Sequence, residues 1–298
     1  MKILLTGSTG QVGWELQRSL MTLGEVICAG REATSPSLRM DLSAPETIRA
    51  VIREVKPNLI VNPAAYTTVD KAEAEPELAM AVNGVAPGII AEEAKLLGAG
   101  IIHYSTDYVF NGTQAIPYTE QDVPDPQNIY GKTKLAGEQA IQAVGVPHLI
   151  LRTSWVYGLR GKNFLLTMLK LAREREELKV VNDQVGAPTW SRMIAESTAQ
   201  ILSQGTQGLN CFLSSKSGIY HLTATGQTSW YNFAKAIFEH DPNSSKQKLK
   251  KLLAIPSEQY PTPAKRPAYS SLDTQKISHT FRLVLPSWQI NLELVLGS

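Results

Sequence analysis

Tyr130 and Lys134 stand four residues apart in YGKTKLAGE, at the start of a stretch with helical periodicity, so both side chains project from one helix face. A phenol beside an ammonium is a proton-donating device. The positive charge favours phenolate, lowers the tyrosine pKa and lets the ring exchange a proton with a substrate oxygen near neutral pH. A YxxxK pair is common, and here two further features give it a setting. Ser105-Thr106 closes an apolar run at 101–104, which places a hydroxyl at the carboxyl edge of a predicted parallel strand, where ligands bind and a carbonyl can be oriented. The string TGSTGQVG follows another such run at 2–6, with Gly7, Gly10 and Gly13 at three-residue spacing.

At a strand-to-helix turn the first of these glycines permits the bend and the second lets a pyrophosphate approach the backbone. The third lets the helix close on the sheet, and the free amides and dipole near Gln11 and Val12 hold the anion. A dinucleotide is the expected ligand. The next apolar run, EVICAG, leads into Arg31 rather than an acid. A guanidinium there suits a 2′-phosphate, so the expected cofactor is NADPH; Glu32, adjacent, keeps NADH open, as does a reading of Arg31 as a solvated surface residue.

These residues need a frame. Apolar runs at 2–6, 25–29, 59–62, 101–104 and 148–152 read as strands. Helical periodicity separates them at 11–23, 44–55, 76–84 continuing into 86–97, and 130–143. Strands apolar throughout and separated by helices specify an α/β fold, a Rossmann-type doubly wound parallel sheet covered on both faces. Beyond Arg152 helices are expected at 163–175, 191–204 and 229–239, with short strands at 178–181 and 219–222. The remainder carries Pro256, Pro261, Pro263 and Pro267 and reads as loop-built. The expected division is a nucleotide-binding domain over 1–157, completed by parts of 178–222, with a smaller, interleaved α/β substrate lobe over 158–298.

Composition excludes several classes. With 43% hydrophobic and 19% charged residues in 298, the chain can bury a full core, and a net charge of +2 gives no general pull toward nucleic acid or anionic membrane. The two cysteines, Cys28 and Cys211, have no metal-ligand spacing and fit a reducing compartment. The apolar stretch after Lys2 is too short for a signal peptide and no run reaches a membrane span, so the expected location is cytoplasmic. His103 reads as a hydrogen-bonded core residue, and His221, His240 and His279 show no metal-binding pairing.

The glycine turn, the hydroxyl at Thr106 and the YxxxK pair together resemble the extended short-chain dehydrogenase/reductase superfamily. NPAAYTTVDKAEAEP, STDYVFNG, YGKTKLAGE, RTSWVYG, NDQVGAPT and PTPAKRPAYSSLD narrow the resemblance, nearly end to end, to its dTDP-4-dehydrorhamnose reductase family. The resemblance implies NADPH-dependent reduction of the C4 keto group of a dTDP-sugar, with Thr106, Tyr130 and Lys134 catalytic. It also implies cofactor contacts at Gly10, Gln11 and Val12, at Asp41 and Leu42, and at Ala64, Ala65, Tyr66 and Thr67. Sugar contacts fall at Asp107, Tyr108 and Trp155, and Arg266 matches a position at the nucleotide diphosphate.

Trp155 keeps a second reading as core packing, and Tyr108 one as a residue closing the sheet edge. Some members of this family dimerise around Mg²⁺ held by glutamates. Glu15 matches one of them, but Arg192 stands where a second belongs and the C-terminus supplies no third, so the expectation is no metal bridge and a monomer or weak homodimer. Two other functions stay open at this point. A nucleotide-sugar dehydratase or epimerase shares the frame, although Asp107-Tyr108 lacks the glutamate that elimination needs. A non-catalytic regulatory subunit of methionine adenosyltransferase also shares it.

Overall fold

Five apolar segments form strands in the first half: Lys2–Thr6 (β1), Glu25–Ala29 (β2), Leu59–Asn62 (β3), Gly100–Thr106 (β4) and His148–Thr153 (β5). Helices between them are Gln11–Leu20 (α1), Pro45–Val55 (α2), Val69–Ala72 (α3), Pro76–Met80 (α4), Ala86–Leu97 (α5) and Ile129–Val144 (α6). The computed structural model describes residues 1–205 and 208–297. In it four short strands follow, Val156–Tyr157 (β6), Glu177–Val181 (β7), Val185–Gly186 (β8) and Thr189–Trp190 (β9). Then Gly218–His221 (β10) returns to pair in parallel with β5. The central sheet has the order β10-β5-β4-β3-β1-β2, all its pairings parallel.

Alternation along each strand divides the core between two faces. Ile3, Leu5, Val61, Ile102 and Leu151 face a layer that includes Leu16 and Leu20 of α1, and Ile194 and Ile201 of Ser191–Ser203 (α8, after Phe164–Glu174, α7). Leu4, Ile60, Ile101 and Ile150 face Ile48 and Ile52 of α2 and Ile90 of α5. Burial on both faces is why these strands read as continuous apolar runs. The chain reverses its direction across the sheet between β1 and β3, and in sheets of this topology ligands bind at that switch point, beyond the carboxyl ends of the strands.

The helical stretch predicted across 76–97 is continuous but changes pitch. Residues Ala81–Val85 form a π-turn between α4 and α5, just before Pro87, which lacks the N–H an α-turn would use. The loop-built reading of the C-terminal part holds only around its prolines. Lys251–Ile255 forms a strand parallel to β7, and helices span Gln275–Phe281 and Trp288–Leu296. Proline acts where it stands: Pro256 ends that strand and Pro286 precedes Ser287, whose hydroxyl caps the last helix at the Ile290 amide. That helix buries Trp288, Leu292 and Val295, a periodicity that the proline density masked in the sequence.

Candidate active site

The glycine turn closes as its spacing requires. Gly7 adopts φ +57° at the end of β1, and a Cβ there would lie 2.9 Å from the Ala64 Cα beyond β3. A Cβ on Gly13 would lie 2.0 Å from the Gly7 carbonyl oxygen, so only glycine lets α1 start against the turn. Gly10 is the exposed N-cap of α1, followed by the amides of Gln11 and Val12. This cradle fits a pyrophosphate: a backbone without side chains, at a helix N-terminus, beside the switch point.

Arg31 is exposed just past β2, where a 2′-phosphate would lie. The fold adds a second guanidinium: a parallel bridge pairs Arg39 with Gly30, and Arg39 Nε donates to the Ala33 carbonyl. Nothing in the spacing of the sequence singled out Arg39. Asp41 accepts bonds from the Ser43 amide and hydroxyl, which hold its carboxyl below the usual range, with Arg31 adding a smaller pull; Leu42 is half-buried beside it. Past β3, Ala64, Ala65 and Tyr66 are half-buried and Thr67 is exposed. Asn83, in the π-turn, clasps Tyr66 by both its amide (2.8 Å) and carbonyl (3.1 Å), and the Tyr66 hydroxyl donates to Glu75 at 2.6 Å.

The start of α6 is clamped from three sides. Asn128 caps it at the Gly131 amide (2.8 Å), and Glu73 accepts the Ile129 amide (2.8 Å). The Asn128 side chain also donates to the Lys265 carbonyl, which ties in the proline-rich segment. Gly131 is required because a Cβ would lie 2.2 Å from the Tyr108 carbonyl. An asparagine just before a helix is a capping signal that the sequence did carry.

Thr106, Tyr130 and Lys134 meet at this corner. Thr106 is the last residue of β4, and its hydroxyl is bonded to the half-buried Tyr130 phenol and to Asp107 Oδ1 (3.1 Å). Burial pushes the phenol pKa up to about 12, against a smaller downward pull from Thr106. This differs from the acidified phenol expected of a YxxxK pair. The reason is that Lys134, buried, spends its ammonium elsewhere: Nζ donates to the Tyr104 carbonyl at 2.6 Å and lies 3.4 Å from His103 Nε2. Burial lowers the Lys134 pKa to about 8, with Glu138 one turn along opposing the fall.

Asp107 is buried, and desolvation raises its carboxyl to about 6. Tyr108 sets its ring edge-on to Tyr130, with centroids 5.7 Å apart. Arg266 reaches Tyr108 from the proline-rich segment, but its guanidinium is engaged by Asp70 through two bonds, 3.1 and 2.8 Å. Trp155 is both packed and partly exposed. Its backbone sits at φ +44°, a strained value for a bulky residue, and its ring stacks at 3.5 Å on Trp230, with Gly186 leaving room beneath. Trp230 carried no signal in the sequence. Midway along α1, Glu15 pairs with Arg192 of α8 at 3.2 Å.

A family model described as RmlD substrate binding domain matches residues 1–298. The dTDP-4-dehydrorhamnose reductase of Escherichia coli (strain K12) is 48% identical over 298 residues, 100% of this chain and 97% of that protein. The solved structure of the Clostridium acetobutylicum dTDP-4-dehydrorhamnose reductase superposes with a TM-score of 0.89 at 36% identity, covering 100% of this chain and 99% of that one. The Bacillus anthracis enzyme of the same description, crystallised in complex with NADP, has a TM-score of 0.87 at 34% identity, covering 99% and 98%.

Proposed function

Because the chain belongs to the RmlD substrate binding domain family, we propose that it reduces the C4 keto group of dTDP-4-dehydro-β-L-rhamnose with NADPH, giving dTDP-L-rhamnose. The observation that carries this reading is the meeting of a strand-end hydroxyl, a phenol and a buried ammonium at one corner, on the same sheet edge as a cradle for a dinucleotide.

The nicotinamide, when bound, supplies the hydride. Everything else falls to side chains of the chain. With its pKa near 12 the Tyr130 phenol carries its proton throughout the neutral range, which is the state a donor needs. A keto oxygen placed between the Thr106 and Tyr130 hydroxyls accepts a hydrogen bond from each, and the phenolic proton moves to it as charge builds there. The Lys134 ammonium, fixed by the Tyr104 carbonyl, would offer an N–H to the ribose of the bound cofactor. Asp107, Tyr108 and Trp155 surround the sugar, and Arg266, oriented by Asp70, meets the diphosphate. Gly7, Gly10, Gln11 and Val12 hold the pyrophosphate, Asp41, Leu42 and residues 64–67 flank the dinucleotide, and Arg31 takes the 2′-phosphate.

Residues 1–157 with β10 form the nucleotide-binding unit in this reading, and the rest of 158–298 forms the substrate lobe. Among the described residues no helix is long and apolar enough to cross a membrane, and we place the enzyme in the cytoplasm. The Glu15–Arg192 pair supports a monomer or weak homodimer without a bridging metal, since the guanidinium already neutralises the carboxylate. Sedimentation in Mg²⁺ and in EDTA should give the same mass.

The deciding experiment follows NADPH oxidation with dTDP-4-dehydrorhamnose for the wild type and for Tyr130→Phe. Loss of the proton donor should lower the rate by at least ~10²-fold. An unchanged rate removes Tyr130 from the mechanism.

A further inference from the structure

Behind Lys134 lies a line of buried polar side chains that the reaction does not touch. Thr6 Oγ1 is 2.6 Å from Asn62 Oδ1, and Asn62 Nδ2 is 3.1 Å from His103 Nδ1. His103 Nε2 is 3.4 Å from Lys134 Nζ, which also holds the Tyr104 carbonyl at 2.6 Å. All four side chains are shut off from solvent, on β1, β3, β4 and α6 in turn. Thr6 immediately precedes Gly7, so the line runs from the glycine turn to the lysine.

Counting protons along it leaves two self-consistent arrangements. If Asn62 Nδ2 donates to His103 Nδ1, the ring proton sits on Nε2 and points at Nζ, which suits only a neutral amine. If the Asn62 amide is turned over, His103 Nδ1–H donates to Oδ1, Nδ2 donates to the Thr6 hydroxyl, and Nε2 is free to accept from the ammonium. The two differ in which end of the Asn62 amide faces Thr6, amide O and N being alike in shape; the 2.6 Å contact suits the Thr6 hydroxyl as donor and must lengthen slightly when the amide is turned over. The charge on Lys134 is thus coupled to one tautomer, one amide orientation and one hydroxyl.

We propose that His103 is a positioning residue for Lys134: as the neutral Nδ1–H tautomer it accepts one ammonium proton at Nε2. With the Tyr104 carbonyl taking a second, a single N–H is directed to the reaction cleft. The inference rests on Lys134 acting in the reduction. Burial and the nearby ammonium both hold His103 well below its ordinary pKa, so it stays uncharged and cannot compete for the proton. Among the described residues, Glu138, Asp107, Glu73 and Asn83 are each engaged elsewhere. Glu138, on its own helix, is bonded to Arg152, Asp107 is bonded to Thr106, Glu73 accepts the Ile129 amide, and Asn83 of the π-turn bonds Thr133.

The test combines kinetics and spectroscopy. In wild type, kcat/KM should fall as pH rises past the Lys134 pKa. In His103→Met, an apolar residue of similar length, the ammonium loses an acceptor, and that alkaline limb should move down by ~1 pH unit. His103→Gln, which restores an acceptor near the Nε2 position, should return the limb to within ~0.3 unit of wild type. A uniform loss of rate with the limb unmoved in His103→Met overturns the proposal and leaves His103 a packing residue. Nitrogen NMR of the wild-type imidazole, assigned through variants of the other histidines, gives a reading that needs neither variant to fold nor any turnover. Protonation on Nδ1 at pH 6.5 supports the proposal, and protonation on Nε2 overturns it. If wild type failed to oxidise NADPH with the sugar, the reductase reading would fall while the tautomer still decided the contact.

Discussion

Arg152 and Glu138 meet in a two-pronged pair, Nε to Oε1 at 2.9 Å and Nη2 to Oε2 at 2.6 Å, with both side chains buried. The pair bolts β5 to α6 one turn beyond Lys134, and the guanidinium also lies 5.1 Å from the centre of the Phe110 ring. Removing the acid would leave a buried, unpaired cation. Glu138→Ala should therefore lose about 3–5 kcal/mol of stability, read from denaturant unfolding at pH 7. Glu138→Gln, which keeps one acceptor, should lose less.

The glycines of the turn separate folding from ligand binding. Gly10→Ala meets little but the Gly7 carbonyl oxygen at 3.3 Å, whereas Gly13→Ala drives a methyl to 2.0 Å from that same atom. Gly10→Ala should melt near the wild-type temperature yet bind NADPH at least ~10-fold more weakly, about 1.4 kcal/mol. Gly13→Ala should lose stability and binding together. Fluorescence titration with NADPH beside thermal melts distinguishes the two.

Arg31, with Arg39 brought alongside by the bridge to Gly30, sets a basic edge past β2. Arg31→Ala should lower the ratio of kcat/KM for NADPH over NADH by ~10-fold, the worth of one exposed phosphate contact of about 1.4 kcal/mol. Rates with NADH should stay nearly constant, and an unchanged ratio would assign Arg31 to solvent.

Asp107 makes a stability prediction with a definite sign. Its folded pKa of about 6 lies above the ordinary 3.8, so the folded state binds more protons between those values and stability falls as pH rises through the window. The penalty is complete above pH 6 and absent below about pH 4. Asp107→Asn, which keeps an oxygen for the Thr106 hydroxyl, should melt above wild type at pH 8, with the gap closing toward pH 4. Melting curves across that range suffice. An equal gap at both ends would mean that the carboxyl is not desolvated in the fold.

The role proposed for Lys134 sets an expectation for the alkaline side of activity. Its pKa of about 8 means that the ammonium is present at pH 7 and is lost above pH 8. The kcat/KM profile, which reports the free enzyme, should bend downward near that value, and Lys134→Met should be poorly active at every pH. A flat profile to pH 9.5 would contradict the role given to the ammonium.

Local chemistry made much of this legible in the sequence. The parallel sheet was written in uninterrupted apolar runs, because strands covered on both faces need no polar residue. The tight strand-to-helix turn was written in three glycines, because φ +57° at Gly7 and the contact between Gly13 and Gly7 tolerate nothing else. The pairing of Tyr130 with Lys134 was written in helical spacing. Contacts between residues distant along the chain were decided only in three dimensions. Among them are Arg39 beside Gly30, Trp230 under Trp155, Arg152 on Glu138, and the line from Thr6 through Asn62 and His103 to Lys134. Spacing fixes which residue types share a face, while burial and proton sharing depend on what the packed neighbours bring. For that reason the sequence named the phenol and the ammonium, and only the fold showed that burial raises the one and that a carbonyl and an imidazole hold the other.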